Sequence, residues 1–453
     1  MAASVETQHS NHPKSLTFDS NTATHSDEYP GFIKTSSPNA LRADTDSDSF
    51  YDDDIIPPRH AHRTLVLCFD GTGDQFDEDN SNVVNFFSLL KKDDPKQQLV
   101  YYQAGIGTYT IPQIAKPMMA KFHRAMDAMI GIHLNAHVMN EAGDKIFIFA
   151  DQLADTARAL AGMIHKVGLL PKSNHQQVPF AYKMYSREDE IGWRQSSAFK
   201  KAFSIDVDIE FLGVWETVGS VGMIPKRLPF TTSNTHVKYF RHALALDEHR
   251  VRFVPNFWNR PTHEEVQLGI KRGEMPRPKT HREKSLRDLE QQYTHGGNHY
   301  TNVEEVWFAG CHCDVGGGAV RNELRHKLAR IPLRWMIRQC FLLKTGILFH
   351  RDLLKVVGLD SNNLYPVVKP RPPPVTELTV TPRREYKMLD VWSTSIAHVD
   401  TSDFVSEEEE DLADARSQIN DMLKIGKTWW LLEYIPQNMR YQQDDDSWTQ
   451  ELA

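Results

Sequence analysis

The chain has 453 residues, enough for two or three ordinary domains or one large decorated one. Its 40% hydrophobic, 10% aromatic and 25% charged residues are a globular composition and exclude a chain that is disordered or fibrous throughout. Lys and Arg number 52 against 60 Asp and Glu, a balance of −8, so no global positive field draws the chain to nucleic acid.

Residues 1–60 are rich in Ser, Thr, Asn and Asp and end in the acidic run Asp44-Thr-Asp-Ser-Asp-Ser-Phe-Tyr-Asp-Asp-Asp54. Such a segment buries too little apolar surface to offset its ordering entropy and reads as a disordered, solvated tail. Its start has neither the basic nor the apolar region of a secretory signal, and nowhere does the chain approach the roughly 20 apolar residues of a membrane span. Cys68, Cys311, Cys313 and Cys340 form no C-x-x-C pair, which predicts reduced thiols and a cytoplasmic protein.

Order is expected from residue 63. Residues 63–69, Arg-Thr-Leu-Val-Leu-Cys-Phe, make an apolar run of strand length, stopped by Asp70-Gly-Thr-Gly-Asp74. Past Asn80-Ser81, Val83, Val84, Phe86, Phe87 and Leu90 mark one face of a helix. The pattern repeats with a strand at 145–149 and a helix over 156–167, whose Ala157, Leu160, Ala161, Ile164 and Val167 share a face and which Gly168 ends. A third strand is expected at 207–215, before Glu216-Thr-Val-Gly-Ser-Val-Gly222, and a fourth at 306–309, before Gly310-Cys-His-Cys-Asp-Val-Gly-Gly-Gly318. Between them, residues 223–300 are polar and rich in His, Arg and Pro, and read as an insertion or lid over one end of the sheet. Alternating strands and helices predict an α/β domain over 63–345, with a mostly parallel sheet covered on both faces. Residues 346–453 are expected to pack on it as a C-terminal extension. Within them, 369–374 form a stiff extended connector, and Trp429-Trp430-Leu431-Leu432 reads as core, with peripheral membrane contact as the competing reading.

Open α/β sheets place their chemistry in loops at the carboxyl ends of the strands. The glycines after Asp70 let backbone N–H groups approach an anion. His312 has the chemistry of a general base, with Asp314 two positions on, and Glu216 stands where a carboxylate can orient a histidine. Cys311, His312 and Cys313 supply soft ligands only within three consecutive positions, so no metal is expected there. Ser220 is read as a turn residue, because Val218 breaks the G-x-S-x-G spacing of a nucleophile elbow. A phosphatase of the D-x-D-G-T type fails at Cys68, which stands where its nucleophilic aspartate belongs.

Six pieces carry a family resemblance: Leu65-Val-Leu-Cys-Phe-Asp-Gly-Thr-Gly73, Tyr101-Tyr-Gln-Ala-Gly-Ile-Gly-Thr-Tyr109, Thr156-Ala-Arg-Ala-Leu-Ala-Gly162, Phe211-Leu-Gly-Val-Trp-Glu-Thr-Val-Gly-Ser-Val-Gly222, Ala243-Leu-Ala-Leu-Asp-Glu248 and Trp307-Phe-Ala-Gly-Cys-His-Cys-Asp-Val-Gly-Gly-Gly318. In this order they resemble an α/β-hydrolase-like family, first described as a domain of unknown function, that includes the catalytic domain of type VI secretion phospholipase effectors. The resemblance implies an α/β-hydrolase-like fold, a lipid or ester small molecule as substrate and no cofactor. It assigns His312 as base, Glu216 as the acid in place of the family's usual Asp, and the Asp70-Gly71-Thr72 loop as the oxyanion side, through the N–H groups of Gly71 and Thr72.

The departure is in the middle. Where the family has G-F-S-R-G-A-Y, with the serine as nucleophile, this chain reads Ala150-Asp-Gln-Leu-Ala-Asp155, one residue shorter and without Ser, Cys or Thr. Gln152 is nearest the missing serine, and an amide is no nucleophile. Either the copy is degenerate or the coding sequence carries a misplaced splice junction. Two functions follow: an ester or lipid hydrolase scaffold without its serine, or a non-catalytic pseudohydrolase that binds a lipid or a protein partner.

Overall fold

Among the described residues, six strands in a row, all parallel, form the central sheet: β1 Thr64–Phe69, β2 Gln98–Gln103, β3 Lys145–Asp151, β4 Ile209–Trp215, β5 Val237–Ala245 and β6 Asn302–Phe308, in the spatial order β2-β1-β3-β4-β5-β6. Helices among the same residues, up to position 342, are α1 Asn82–Ser88, α2 Ala154–Val167, α3 Val178–Tyr185, α4 Glu190–Phe203, α5 His312–Gly316 and α6 Arg330–Leu342. This computed structural model describes residues 54–58, 62–71, 77–104, 144–151, 154–171, 176–187, 189–205, 207–217, 237–259, 301–380, 402, 404–436, 438–443 and 448–452. The acidic tail up to residue 53, Thr72, Gln152, Ser220 and the lid segments 223–236 and 260–300 lie outside the described residues.

Every residue of β1 is buried, because alternate side chains feed two cores. Leu65, Leu67 and Phe69 join Ile146, Ile148 and the buried faces of α2, α3 and α4. Val66 and Cys68 point the other way and join Phe147, Phe149, Phe211 and Trp215 with Phe86 of α1 and Met336 and Ile337 of α6. Fully burying one such side chain contributes about 1.5–3 kcal/mol, and a strand buried on both faces reads as an unbroken apolar run.

Strand order reverses where β2 and β3 flank β1. Open α/β sheets place ligands at such a switch point, beyond the carboxyl ends of the strands, the end at which Asp70, Asp151 and Trp215 stand.

The expected insertion over 223–300 is corrected at its centre. Residues 237–245 are β5, a strand inside the sheet between β4 and β6. Lys238, Arg241 and His242 interrupt its apolar pattern, yet Arg241 and His242 are buried with partners. Arg241 donates to Gln339 Oε1 at 2.8 Å and to Asn302 Oδ1 at 2.7 Å, and His242 Nδ1 lies 3.0 Å from Glu305 Oε1.

Gly213 of β4 sits where the aromatic core closes over the sheet. A Cβ there would lie 2.7 Å from Phe211 Cε1 and 2.8 Å from both Met336 Sδ and Phe149 Cδ1. Gly213→Ala is therefore expected to destabilise the fold by about 1–3 kcal/mol through overpacking. Urea denaturation should show a lower midpoint with an unchanged slope.

The C-terminal region adds α7 Arg351–Val356, α8 Glu407–Ala415, α9 Met422–Ile425 and α10 Trp430–Glu433. Ser406 caps α8, and four glutamates in its first turn suit the positive end of the helix dipole. An ion-pair ladder fixes α8 to α6: Arg330 to Glu410 (2.9 Å) and Asp414 (3.1 Å), Arg334 to Asp411 (2.5 Å) and Asp414 (2.6 Å), and Arg338 to Glu407. Arg325, just before α6, adds a pair to Glu410. Residues 429–432 depart from the core reading: Trp429 is half-buried, but Trp430 and Leu431 are 51% and 72% exposed.

Candidate functional site

Adjacent strands end level with one another. Phe69 of β1 pairs with Ala150 of β3, Asp151 with Trp215 of β4, and Trp215 with Ala243 of β5. At about 4.8 Å per strand, Asp70, Asp151 and Trp215 stand level along one edge, with Gly71 and Glu216 one residue beyond it.

Glu216 continues β4 by donating its N–H to Ala243 O at 2.9 Å, then turns with φ of 49°. A non-glycine residue held in this left-handed region costs on the order of 1–3 kcal/mol and persists only where its surroundings fix it. Here they do: Glu216 is buried, Oε1 accepts the N–H of Ala245, and Oε2 lies 3.0 Å from His312 Nδ1. The pairing assigns the histidine proton to Nδ1, which donates to the carboxylate. His312 is itself buried, and its Nε2 has no hydrogen-bond partner among the described residues. The result is an imidazole oriented by an acid with its second nitrogen uncommitted, the arrangement of a general base.

The surroundings hold His312 in place. Its N–H donates to Glu248 Oε2 at 3.1 Å, and its ring meets Phe253 edge-on at 4.8 Å. Burial works against the Glu248 charge, but the Arg250 guanidinium and the N–H groups of Arg250 and His312 prevail and hold its carboxyl below the ordinary value. Arg250 in turn stacks over Phe253 and Trp429, at 3.5 and 4.7 Å, which brings the C-terminal helices against the histidine loop.

Asp314 has a different part from His312. Its Oδ2 accepts the Cys311 N–H at 3.0 Å, closing a capping box on the short α5, and its two oxygens receive the side chain and backbone N–H of Asn420. It joins the histidine loop to the C-terminal segment. Asp70, at the end of β1, accepts the Tyr102 hydroxyl at Oδ2 and the Gly71 N–H at Oδ1, the latter at 2.9 Å. Burial pushes its carboxyl up, opposed by hydrogen bonds from Ser81, Tyr102 and Gly71. The Gly71 N–H is thus engaged by Asp70 in this arrangement. Asp151, the last residue of β3, is fully buried with its carboxylate against Gly316, where a Cβ would collide with both oxygens. Gly316 is four residues beyond His312, about 6 Å along the helix, so the end of β3 and the histidine helix share one space.

Further residues support the pair, and their roles were not legible in the sequence. His242 forms a second buried pair with Glu305, and its Nε2 accepts the Thr217 N–H at 3.2 Å, fixing the residue after Glu216. Thr217 O accepts the Asn256 N–H at 2.8 Å, and Arg158 of α2 donates to the carbonyls of Asn256 and Phe257. Arg158 and Glu248 were visible as members of matching pieces, but His242 lay in an apparent insertion.

A model of the family described as "T6SS, Phospholipase effector Tle1-like, catalytic domain" matches residues 63–339. An uncharacterized protein of Saccharomyces cerevisiae is 33% identical over 230 residues, covering 45% of this chain and 34% of its own length. The match therefore spans about a third of that relative. A crystal structure of an uncharacterized protein from Pseudomonas aeruginosa is similar with a TM-score of 0.36 and 16% identity, over 67% of this chain and 49% of that one.

Proposed function

The chain belongs to the family of Tle1-like phospholipase effector catalytic domains, and from that membership we propose that it is an ester- or lipid-binding hydrolase scaffold that keeps its base and acid but has no serine at the elbow. The observation that carries this reading is the buried His312–Glu216 pair with an uncommitted Nε2. In a serine hydrolase that nitrogen takes the proton of the attacking hydroxyl, and the acid stabilises the imidazolium that results. Residues 150–155 offer no hydroxyl or thiol to give it one. As written, the protein binds a lipid or ester small molecule without forming an acyl-enzyme.

Peripheral contact with a membrane suits this role. Ile425, Trp430, Leu431, Tyr434 and Ile435 are exposed on and around α9 and α10, with Lys424 and Lys427 exposed among them. Aromatic and aliphatic side chains beside cations match the boundary of an anionic bilayer. Among the described residues no helix is long and apolar enough to cross a membrane. The Cys68, Cys311 and Cys340 thiols are outside any disulfide, which supports a reducing, cytoplasmic setting.

The test is a serine-directed fluorophosphonate probe, which should leave the full chain unlabelled. Strong labelling would overturn the reading, and labelling lost on Ser220→Ala would move the nucleophile to the loop after β4.

A further inference from the structure

We propose that His249, Cys311 and Asp421 form a zinc site that fastens the C-terminal segment to the histidine loop. The three residues are far apart in sequence, on the loop after β5, at the N-cap of α5 and at the N-cap of α9. In the fold, one ligand atom of each, an imidazole nitrogen, a thiol sulfur and a carboxylate oxygen, lies within 4.8 Å of the other two. His249 Nδ1 already stands 3.0 Å from Asp421 Oδ2.

The donor set selects the ion. A thiolate disfavours the hard cations calcium and magnesium, whereas nitrogen, sulfur and oxygen together suit zinc. Zinc bonds of about 2.0–2.3 Å set tetrahedral donors roughly 3.5 Å apart, so the His249–Asp421 pair at 3.0 Å must open slightly and a separation as wide as 4.8 Å must close by about 1 Å in the cluster. Its outer member can supply that movement, because the His249 side chain is 58% exposed.

The present contacts are replaceable. The Cys311 thiol donates to Asp247 O at 3.0 Å and would release its proton to solvent as the metal binds. Lys424 approaches Asp421 Oδ2 at 3.2 Å from a side chain that is 80% exposed, and can swing away as the ion enters. The other carboxylate oxygen keeps its cap on the Leu423 N–H, so α9 need not unwind. Three protein ligands leave a fourth position for water on the exposed side.

The location gives the ion a structural purpose. Its ligands flank the Glu248 that holds the His312 backbone, the cap that starts the His312 helix, and the segment that carries Trp429 to Phe253. Zinc here would brace the cover over the base. Consecutive Cys311, His312 and Cys313 could not reveal this, because two of the three ligands come from elsewhere in the chain.

The full-length protein, stripped with a chelator, should rebind one equivalent of zinc by direct metal analysis, and cobalt in its place should give thiolate-to-metal charge-transfer absorption. Loss of a group that merely orients a ligand costs about 10–100-fold in affinity, so His249→Ala and Cys311→Ser should each exceed about 100-fold, while Cys313→Ser leaves binding unchanged. His249→Ala alters an exposed side chain and keeps the test valid if Cys311→Ser unfolds. Absence of stoichiometric binding, or undiminished binding in His249→Ala, would overturn the site.

Discussion

Replacing residues 150–155 with Gly-Phe-Ser-Arg-Gly-Ala-Tyr is expected to give ester hydrolysis and covalent labelling by a fluorophosphonate. The strand β3 ends at Asp151 and α2 begins at Ala154, which is the strand-turn-helix context that a nucleophile elbow requires. Glu216 and His312 are already joined at 3.0 Å. Removing a triad nucleophile costs on the order of 10⁶ in kcat, and oxyanion stabilisation with binding retains about 10³–10⁴ over water. Restoring the serine should therefore raise turnover by several orders of magnitude, read as kcat on a chromogenic ester. In that background His312→Ala should abolish most of the gain, and Glu216→Gln should lower kcat by about 10⁴ through loss of the orienting charge. An inert but folded protein would show that the pair does not serve an elbow nucleophile.

Asp414→Ala is expected to be among the most destabilising single substitutions, at about 3–5 kcal/mol against a typical total of about 5–15. Asp414 is fully buried and answers Arg330, Arg334 and His326. Its removal takes from two nearly buried guanidinium groups one of the two carboxylates that answer each, leaving Glu410 alone to Arg330 and Asp411 alone to Arg334. Burial alone would push the Asp414 carboxyl up, but Arg330, Arg334 and His326 outweigh it and hold the group at about 2, below its ordinary 3.8. Because the folded value lies below the unfolded one, its stabilisation is complete above pH 3.8 and is lost as pH falls through about 2. Urea midpoints measured across this range should converge for the native protein and Asp414→Ala at the acid end. A constant gap would place the cost in packing rather than charge.

The α/β class, the strands expected at 63–69, 145–149 and 207–215, and the helix expected over 156–167 were legible, to within two residues at their ends, because parallel strands and amphipathic helices write themselves as apolar runs and spaced apolar residues. The strand β5 was not, since its Arg241 and His242 look like surface residues until Gln339, Asn302 and Glu305 are brought to them from other elements. Site residues followed the same division. His312 and Glu216 stand at strand ends, where sequence reasoning looks for them. The engagement of Gly71 by Asp70 and the tie from Asp314 to Asn420 depend on side-chain directions that local pattern does not encode.

The arginine ladder also crosses the end of the family match. The family match closes at residue 339, after Arg325, Arg330, Arg334 and Arg338 but well before Glu407, Glu410, Asp411 and Asp414. A fragment cut at that boundary would inherit four cations and none of the acids that answer them. During synthesis the same imbalance exists until the ribosome has delivered α8, so α6 cannot reach its final environment while only the residues up to 339 have emerged. Recombinant work on the histidine site should therefore carry the chain through at least residue 415, and a shorter product that aggregates would say nothing about the chemistry of the site.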